Sequence, residues 1–239
     1  GLCPRNKAVR IFSIRAVLRK KANMAIKIGV IGATGMAGSA VYQEAFDQGF
    51  DVTAIVRSTV KAHKTLGQDA KVLEKDAFAL TKEELLQFDV IINAFATAPA
   101  LAYRHIDLAA YLIGLFRETT VPRLIFILGA GSLMTGEDNH LLLEDLKKLP
   151  DAASWVSIPE NQKKELDFLR NIDNVNWTGV SPGITFQAGE ATQYKLGTDY
   201  LLFGEDNESV TNSGTMAKAI VSEIIKPSSE KKRFTVVNA

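Results

Sequence analysis

Gly32, Ala33, Thr34, Gly35, Met36, Ala37 and Gly38 spell G-x-x-G-x-x-G between an apolar run and a helix-period run. Glycine at those three places lets the backbone turn tightly and brings its N–H groups close to a bound anion, at the positive end of the helix that follows. Holding a pyrophosphate is the chemistry such a loop performs. Gly32, Thr34, Gly35, Met36, Ala37 and Gly38 are therefore read as dinucleotide contacts; three spaced glycines at the first strand-to-helix crossover exceed what a plain turn needs. The end of the next apolar run carries the second signal. A protein that prefers NAD usually places an acid there, against the ribose 2′-hydroxyl. This chain has Arg57, then Ser58 and Lys61, with no acid between Asp51 and Asp69. A cation suits a 2′-phosphate, so Arg57 and Ser58 favour NADP(H) over NAD(H); the bland alternative is a solvated strand-end charge.

These residues need a scaffold, and from Met24 onward short apolar runs alternate with helix-period segments, the pattern of an α/β chain whose parallel sheet is covered on both faces. The spacing predicts strands over residues 26–31, 52–56, 71–74, 89–95, 123–128, 176–180 and 233–237. Helices are predicted over 36–48, 99–117, 159–171 and 213–226, and a short one behind a capping box of Thr81 with Glu84. The expected architecture is a doubly wound Rossmann sheet in a single domain, 24–239, with polar, glycine-punctuated residues 183–210 as a substrate lobe. Such sheets bind ligands beyond the carboxyl ends of their strands, where strand order reverses.

Composition narrows the function classes. The net charge of +1 hides an asymmetry: residues 1–23 carry seven basic residues and no acid, leaving 21 basic against 27 acidic residues in the body. An acidic body argues against nucleic acid as a partner. The basic leader reads as residues upstream of a start at Met24, as an arginine-rich targeting peptide, or as a membrane-touching helix. Cys3 is the lone cysteine, so disulfide frameworks and thiolate metal sites lack material. No apolar run approaches the roughly 20 residues that span a bilayer, and a cytoplasmic protein without membrane partners is expected. His63, His105 and His140 stand apart in sequence, and no metal site is read. Glu137 and Asp138 beside His140 resemble a triad in composition alone, since no nucleophile elbow accompanies them.

The segments IGVIGATGMAG at 28–38, VTAIVRS at 52–58, SPGITFQAGE at 181–190, LGTDYLLFG at 196–204 and the terminal RFTVV resemble the atypical short-chain dehydrogenase/reductase group of NAD(P)H-binding proteins. Its members carry the provisional name NADH-flavin reductase and are related to biliverdin reductase B. The resemblance implies a monomer or homodimer that uses NADPH to reduce a small planar acceptor, flavin-like or quinone-like, with flavin as a substrate. It also implies that Ala94, Phe95 and Ala96 face the adenosine side of the cofactor and that Ser132 supplies a catalytic, substrate-side hydroxyl. Ser181, Pro182 and Gly183 end the sixth strand, where the chain is expected to pass beside the nicotinamide. The wider superfamily carries Tyr-x-x-x-Lys, but four residues before Lys164 stands Glu160, and before Lys163 stands Pro159. Without that phenol, simple ketone reduction loses its general acid, whereas flavin reduction proceeds chiefly by holding two rings in contact. The same absence suits a non-catalytic NADP(H)-sensing protein with a partner surface around Leu201 to Phe203.

Overall fold

The computed structural model describes residues 15–239. Residues 15–23 are helical (α1), followed by β1 (Lys27–Ile31), α2 (Met36–Asp47), β2 (Asp51–Val56), α3 (Thr59–Leu66) and β3 (Lys71–Glu74). Next come α4 (Lys82–Leu85), β4 (Val90–Asn93), α5 (Arg104–Leu115) and β5 (Arg123–Ile127), then the small hairpin β6 (Met134–Thr135) and β7 (His140–Leu141). The chain ends with α6 (Leu142–Leu146), α7 (Ser157–Leu169), β8 (Trp177–Ser181), β9 (Thr185–Gln187), β10 (Tyr194–Gly197), β11 (Val210–Asn212), α8 (Ser213–Ile225) and β12 (Lys232–Asn238).

Eight strands form one sheet in the order β3-β2-β1-β4-β5-β8-β12-β10, parallel throughout except for the antiparallel edge strand β10. Strand order reverses between β1 and β4, which opens the crevice characteristic of the doubly wound Rossmann fold. Because helices cover both faces, the central strands read as continuous apolar runs; all four residues of β4 are buried. On one face α2 buries Gly38, Val41, Tyr42 and Ala45 at helical spacing, packing beside α8 and over β1 and β2. On the other, Leu108, Leu112 and Ile113 of α5 join Leu166 and Leu169 of α7 over β4, β5 and β8. Of residues 183–210, only 194–197 extend the main sheet, while β9 pairs with β11 alone.

The structure departs from the pattern reading at β9, β10 and β11, where no strand is expected, and elsewhere with local causes. The helix expected over 99–117 splits into a 3-10 turn, Pro99–Leu101, and α5. The helix expected from 159 starts at Ser157, because Pro159 in its first turn has no intrahelical N–H bond to forfeit. Helix α3 was not foreseen: Ala62 is its one buried residue, so it carries no apolar stripe. The β6–β7 hairpin and α6 are too short to show a period.

At the sheet pole opposite the crevice, Arg123 of β5 donates to Glu223 of α8 at 2.8 Å and to Thr178 of β8 at 2.6 Å. Both charged side chains are 7% exposed, and Glu223 also accepts the N–H groups of Ser228 and Ser229.

Candidate functional site

The glycine loop is built backbone on backbone. Gly32 sits at φ +75°, and a Cβ there would lie 2.6 Å from the Ala94 carbonyl oxygen; a Cβ at Gly38 would lie 2.0 Å from the Gly32 oxygen. Neither position admits another residue without displacing main chain. Gly35 is exposed and is the N-cap of α2, but brings no side chain to cap it. The first-turn N–H groups of Met36, Ala37 and Gly38 therefore have neither an intrahelical partner nor a side-chain cap. That is a cradle fitted to an anion. Thr34 lies on its rim, half-buried.

Beside the loop opens a cavity of about 680 Å³, lined in turn by the ends of β1, β2, β3 and β4. Gly32, Thr34, Gly35, Arg57, Ser58, Ala94, Phe95 and Ala96 all line it, so the structure brings these sequence-selected residues together. The side chain of Ser58 caps α3 by accepting the Lys61 N–H at 3.2 Å. The start of α3 thus stands directly behind Arg57, with Lys61 also on the wall. Arg104, at the start of α5, faces the same space and lies 5.8 Å from the centre of the Phe78 ring. Among the described residues Arg57, Lys61 and Arg104 form no ion pair, whereas Lys75 is held by Glu84 at 3.0 Å. The apolar wall is an edge-to-face chain of rings, Phe78 on Phe95 at 5.9 Å and Phe95 on His105 at 5.5 Å. Burial lowers the proton affinity of His105, whose Nε2 has no partner among the described residues. Asn93, buried at the end of β4, accepts the Phe95 N–H at 3.0 Å and so fixes the turn that lays Ala94 over Gly32.

Ser132, Ser181, Pro182 and Gly183 do not line that cavity; Ser132 lies past the end of β5, Ser181 ends β8, and Pro182 and Gly183 follow it. Ser181, Pro182 and Gly183 are buried. The Gly183 N–H donates to Thr211, and a Cβ on Gly183 would lie 2.4 Å from the Ser209 hydroxyl. Ser132 is half-buried, and its hydroxyl accepts from Arg233 at 2.8 Å. The same guanidinium donates to the Ser181 hydroxyl at 3.0 Å and to Asp199 at 3.0 Å. Burial lowers the proton affinity of Arg233, and the Asp199 carboxylate opposes that. Helix α7 closes the floor here: Pro159 packs under Gly131, and the Gln162 amide oxygen would lie 2.2 Å from a Cβ on Gly129. One turn on, Glu165 is buried with one carboxyl oxygen unpartnered among the described residues, and burial pushes its proton affinity well above the carboxylate range. Lys164 is exposed.

Arg233, Asp199, Gln162, Asn93 and Arg104 did not stand out in the sequence. A trace of Arg233 was present, the last cation of the Lys231-Lys232-Arg233 run that leads into the apolar FTVV. The other four are unremarkable in type and are selected by position alone. Leu201, placed by the sequence on a partner surface, is instead buried against Leu133 and Leu142, while Tyr200 and Phe203 remain exposed.

On the β6–β7 hairpin, His140 sits between two carboxylates, Asp138 at 2.5 Å and Asp145 at 2.8 Å. The hydrogen bond with Asp138, then that with Asp145, pushes the imidazole up to about 9. A raised native value means this clamp contributes fully below the unfolded histidine value of 6.5 and is lost as pH rises through about 9. Amide exchange across residues 134–145 is expected to accelerate as the pH passes about 9, beyond the intrinsic base catalysis. A histidine titration midpoint near 6.5 in an NMR experiment would contradict the clamp.

A family model described as NAD(P)H-binding matches residues 32–227. The uncharacterised protein YwnB of Bacillus subtilis (strain 168) is 35% identical over 215 residues, 89% of this chain and 99% of that protein. A crystal structure of a Lactobacillus casei protein is 36% identical with a TM-score of 0.84, covering 90% of this chain and all of the other. A provisional NADH-flavin reductase of Streptococcus pneumoniae TIGR4 is 33% identical with a TM-score of 0.80, again over 90% of this chain and all of that one. Among the described residues no helix is long and apolar enough to cross a membrane.

Proposed function

The chain belongs to the NAD(P)H-binding family, and from that premise we propose that it is an NADPH-dependent reductase of a flavin-like or quinone-like planar acceptor. The observation that carries the cofactor choice is the end of β2. Arg57 and Lys61, neither of them ion-paired among the described residues, flank the start of α3 on the wall of the cavity beside the glycine loop. Two cations and a helix N-terminus suit a dianionic 2′-phosphate. The first turn of α2 holds the pyrophosphate, Phe95 and Phe78 flank the adenine, and the β5 and β8 ends receive the nicotinamide and acceptor.

When bound, the nicotinamide would supply one hydride to a ring atom of the acceptor, and a proton from water would complete the reduction. The protein's part is to hold the two rings together, exclude water and meet the charge that builds on the acceptor. We assign that last task to the hydroxyl of Ser132, half-buried past the end of β5. The solved relative that bears the provisional name NADH-flavin reductase supports the acceptor class.

Loss of NADPH absorbance on separate addition of FMN, riboflavin and a small quinone tests the reading. Turnover of about 1 to 1,000 per second is expected with at least one of them. Tight NADPH binding with no turnover would replace the reductase by an NADP(H)-sensing protein, a reading favoured by the missing tyrosine on α7 and the exposed Tyr200 and Phe203. Arg57→Ala is expected to weaken NADPH roughly 30-fold and NADH hardly at all, since a charge-assisted contact contributes about 1.5–3 kcal/mol. Equal weakening of both in a fluorescence titration would remove the 2′-phosphate assignment.

A further inference from the structure

Arg233 opens the apolar stretch of β12, and its side chain is fully buried. Its only ion-pair partner among the described residues is Asp199, which is half-exposed and shared with Arg170 at 2.8 Å. Burying a charge on such terms adds little stability, and an apolar residue of similar volume ordinarily serves a core position as well or better. What the guanidinium does instead is grip one residue of the site twice. Nη1 donates to the Ser132 hydroxyl at 2.8 Å, and Nη2 reaches the Ser132 carbonyl at 3.4 Å.

We propose that Arg233 is a positioning residue for Ser132, holding its hydroxyl as an acceptor on the inner side so that its proton is presented to the bound acceptor molecule. This rests on the reductase reading above. A guanidinium has five donors and no acceptor, and a hydroxyl has one proton and two lone pairs. The Ser132 proton therefore cannot point at Arg233. Nor does a hydrogen bond join Ser132 to Ser181 among the described residues; each hydroxyl accepts from Nη1. The proton is left to the exposed side of this half-buried serine. A full positive charge in the interior behind the hydroxyl strengthens its donation to an oxygen that gains negative charge with the hydride. Lysine would not serve, since a single ammonium cannot hold the planar fork that reaches Ser132, Ser181 and Asp199 together. The contact with Asp199 also ties Ser132 to the segment that runs beside it, where Tyr200 bridges Met134.

The test is a double-mutant cycle on the full chain with Ser132→Ala, Arg233→Gln and the double variant. It is read in FMN turnover, in NADPH affinity by nicotinamide fluorescence, and in FMN affinity by flavin quenching with NADP⁺ present. Each single substitution is expected to lower kcat roughly 30-fold and to leave NADPH affinity within about twofold, with the double variant no slower than Ser132→Ala alone. Losses that multiply, or NADPH affinity that falls in step with thermal stability, would make Arg233 a purely structural cation and overturn the proposal. Unchanged kcat in Ser132→Ala overturns it too. If Arg233→Gln does not fold, Arg233→Lys takes its place in the same cycle with the same expectations. A parent that quenches FMN yet reduces nothing removes the reductase reading alone; the cycle in FMN affinity then decides, non-additive losses supporting the positioning role and multiplying losses overturning it. A parent that neither reduces nor binds an acceptor overturns both.

Discussion

Gly38→Ala is expected to cost about a hundredfold in NADPH affinity, more than removal of any single side chain that contacts the cofactor. The added Cβ would lie 2.0 Å from the Gly32 oxygen and 2.7 Å from its carbonyl carbon, and no flexible side chain is there to give way. Either the first turn of α2 moves outward or the Gly32 peptide does, and both carry the pyrophosphate cradle. A displacement near 1 Å in a preorganised site costs on the order of a hundredfold. Stability should fall by a smaller amount, about 1–3 kcal/mol for overpacking, because Val41, Tyr42 and Ala45 still anchor α2 in the core. The check is a nicotinamide-fluorescence titration beside a denaturant melt. Affinity within about threefold of the parent would mean that the loop is a structural crossover and that the anion-binding role falls elsewhere. Gly35→Ala is the informative contrast: a Cβ there meets its nearest atom at 3.4 Å, with φ in the ordinary range, so the fold should accept it.

Much of this geometry was legible in the sequence, and the reason is physical. Parallel strands buried on both faces must be apolar throughout, so IKIGVI, VTAIV, VIIN and RLIFI announce themselves, and the glycines sit where the backbone permits nothing else. The Rossmann sheet, the NAD(P)H-binding family and the convergence of Arg57, Ser58 and Ala94 to Ala96 on one cavity all follow from those constraints. What stayed hidden depends on pairwise approach between distant segments. Helix α3 has one buried residue and no stripe, yet it is what turns Arg57 from a strand-end charge into part of a cationic wall. The Ser132–Arg233 contact spans 101 residues, and nothing in either local pattern indicates the other. Leu201 was misassigned for the same reason. Its burial comes from Leu133 and Leu142, which arrive from the β6–β7 region that carries no periodicity.

The pole opposite the cleft makes the second large effect, and it should leave the cofactor untouched. Glu223→Ala is expected to destabilise the fold by about 3–5 kcal/mol, the cost of leaving a buried charge without its partner. Arg123 would keep the Thr178 hydroxyl and the Glu223 backbone carbonyl, but no anion. The N–H groups of Ser228 and Ser229, which set the turn into β12, would lose their acceptor as well. Replacing both charges together, as Arg123→Met with Glu223→Leu, should recover most of the loss, since the penalty lies in the orphaned charge rather than in the absent pair. A denaturant series on the parent, single and double variants decides this; a double variant as unstable as the single would place the energy in packing. The pH dependence supplies an independent sign. Burial pushes the Glu223 carboxyl up, but Arg123 and the two serine N–H groups outweigh it, so the native value lies below the ordinary 4.5. Its contribution is therefore present above about pH 4.5 and fades as pH falls through the lower native value, a dependence that Glu223→Ala should abolish. NADPH affinity measured above that range should match the parent, because Glu223 lies near the C-terminal end of α8, at the pole away from the glycine loop. With the buried ion pair at one pole, the other carries a loop of bare N–H groups and cations that form no ion pair among the described residues, which is the arrangement an anionic cofactor requires.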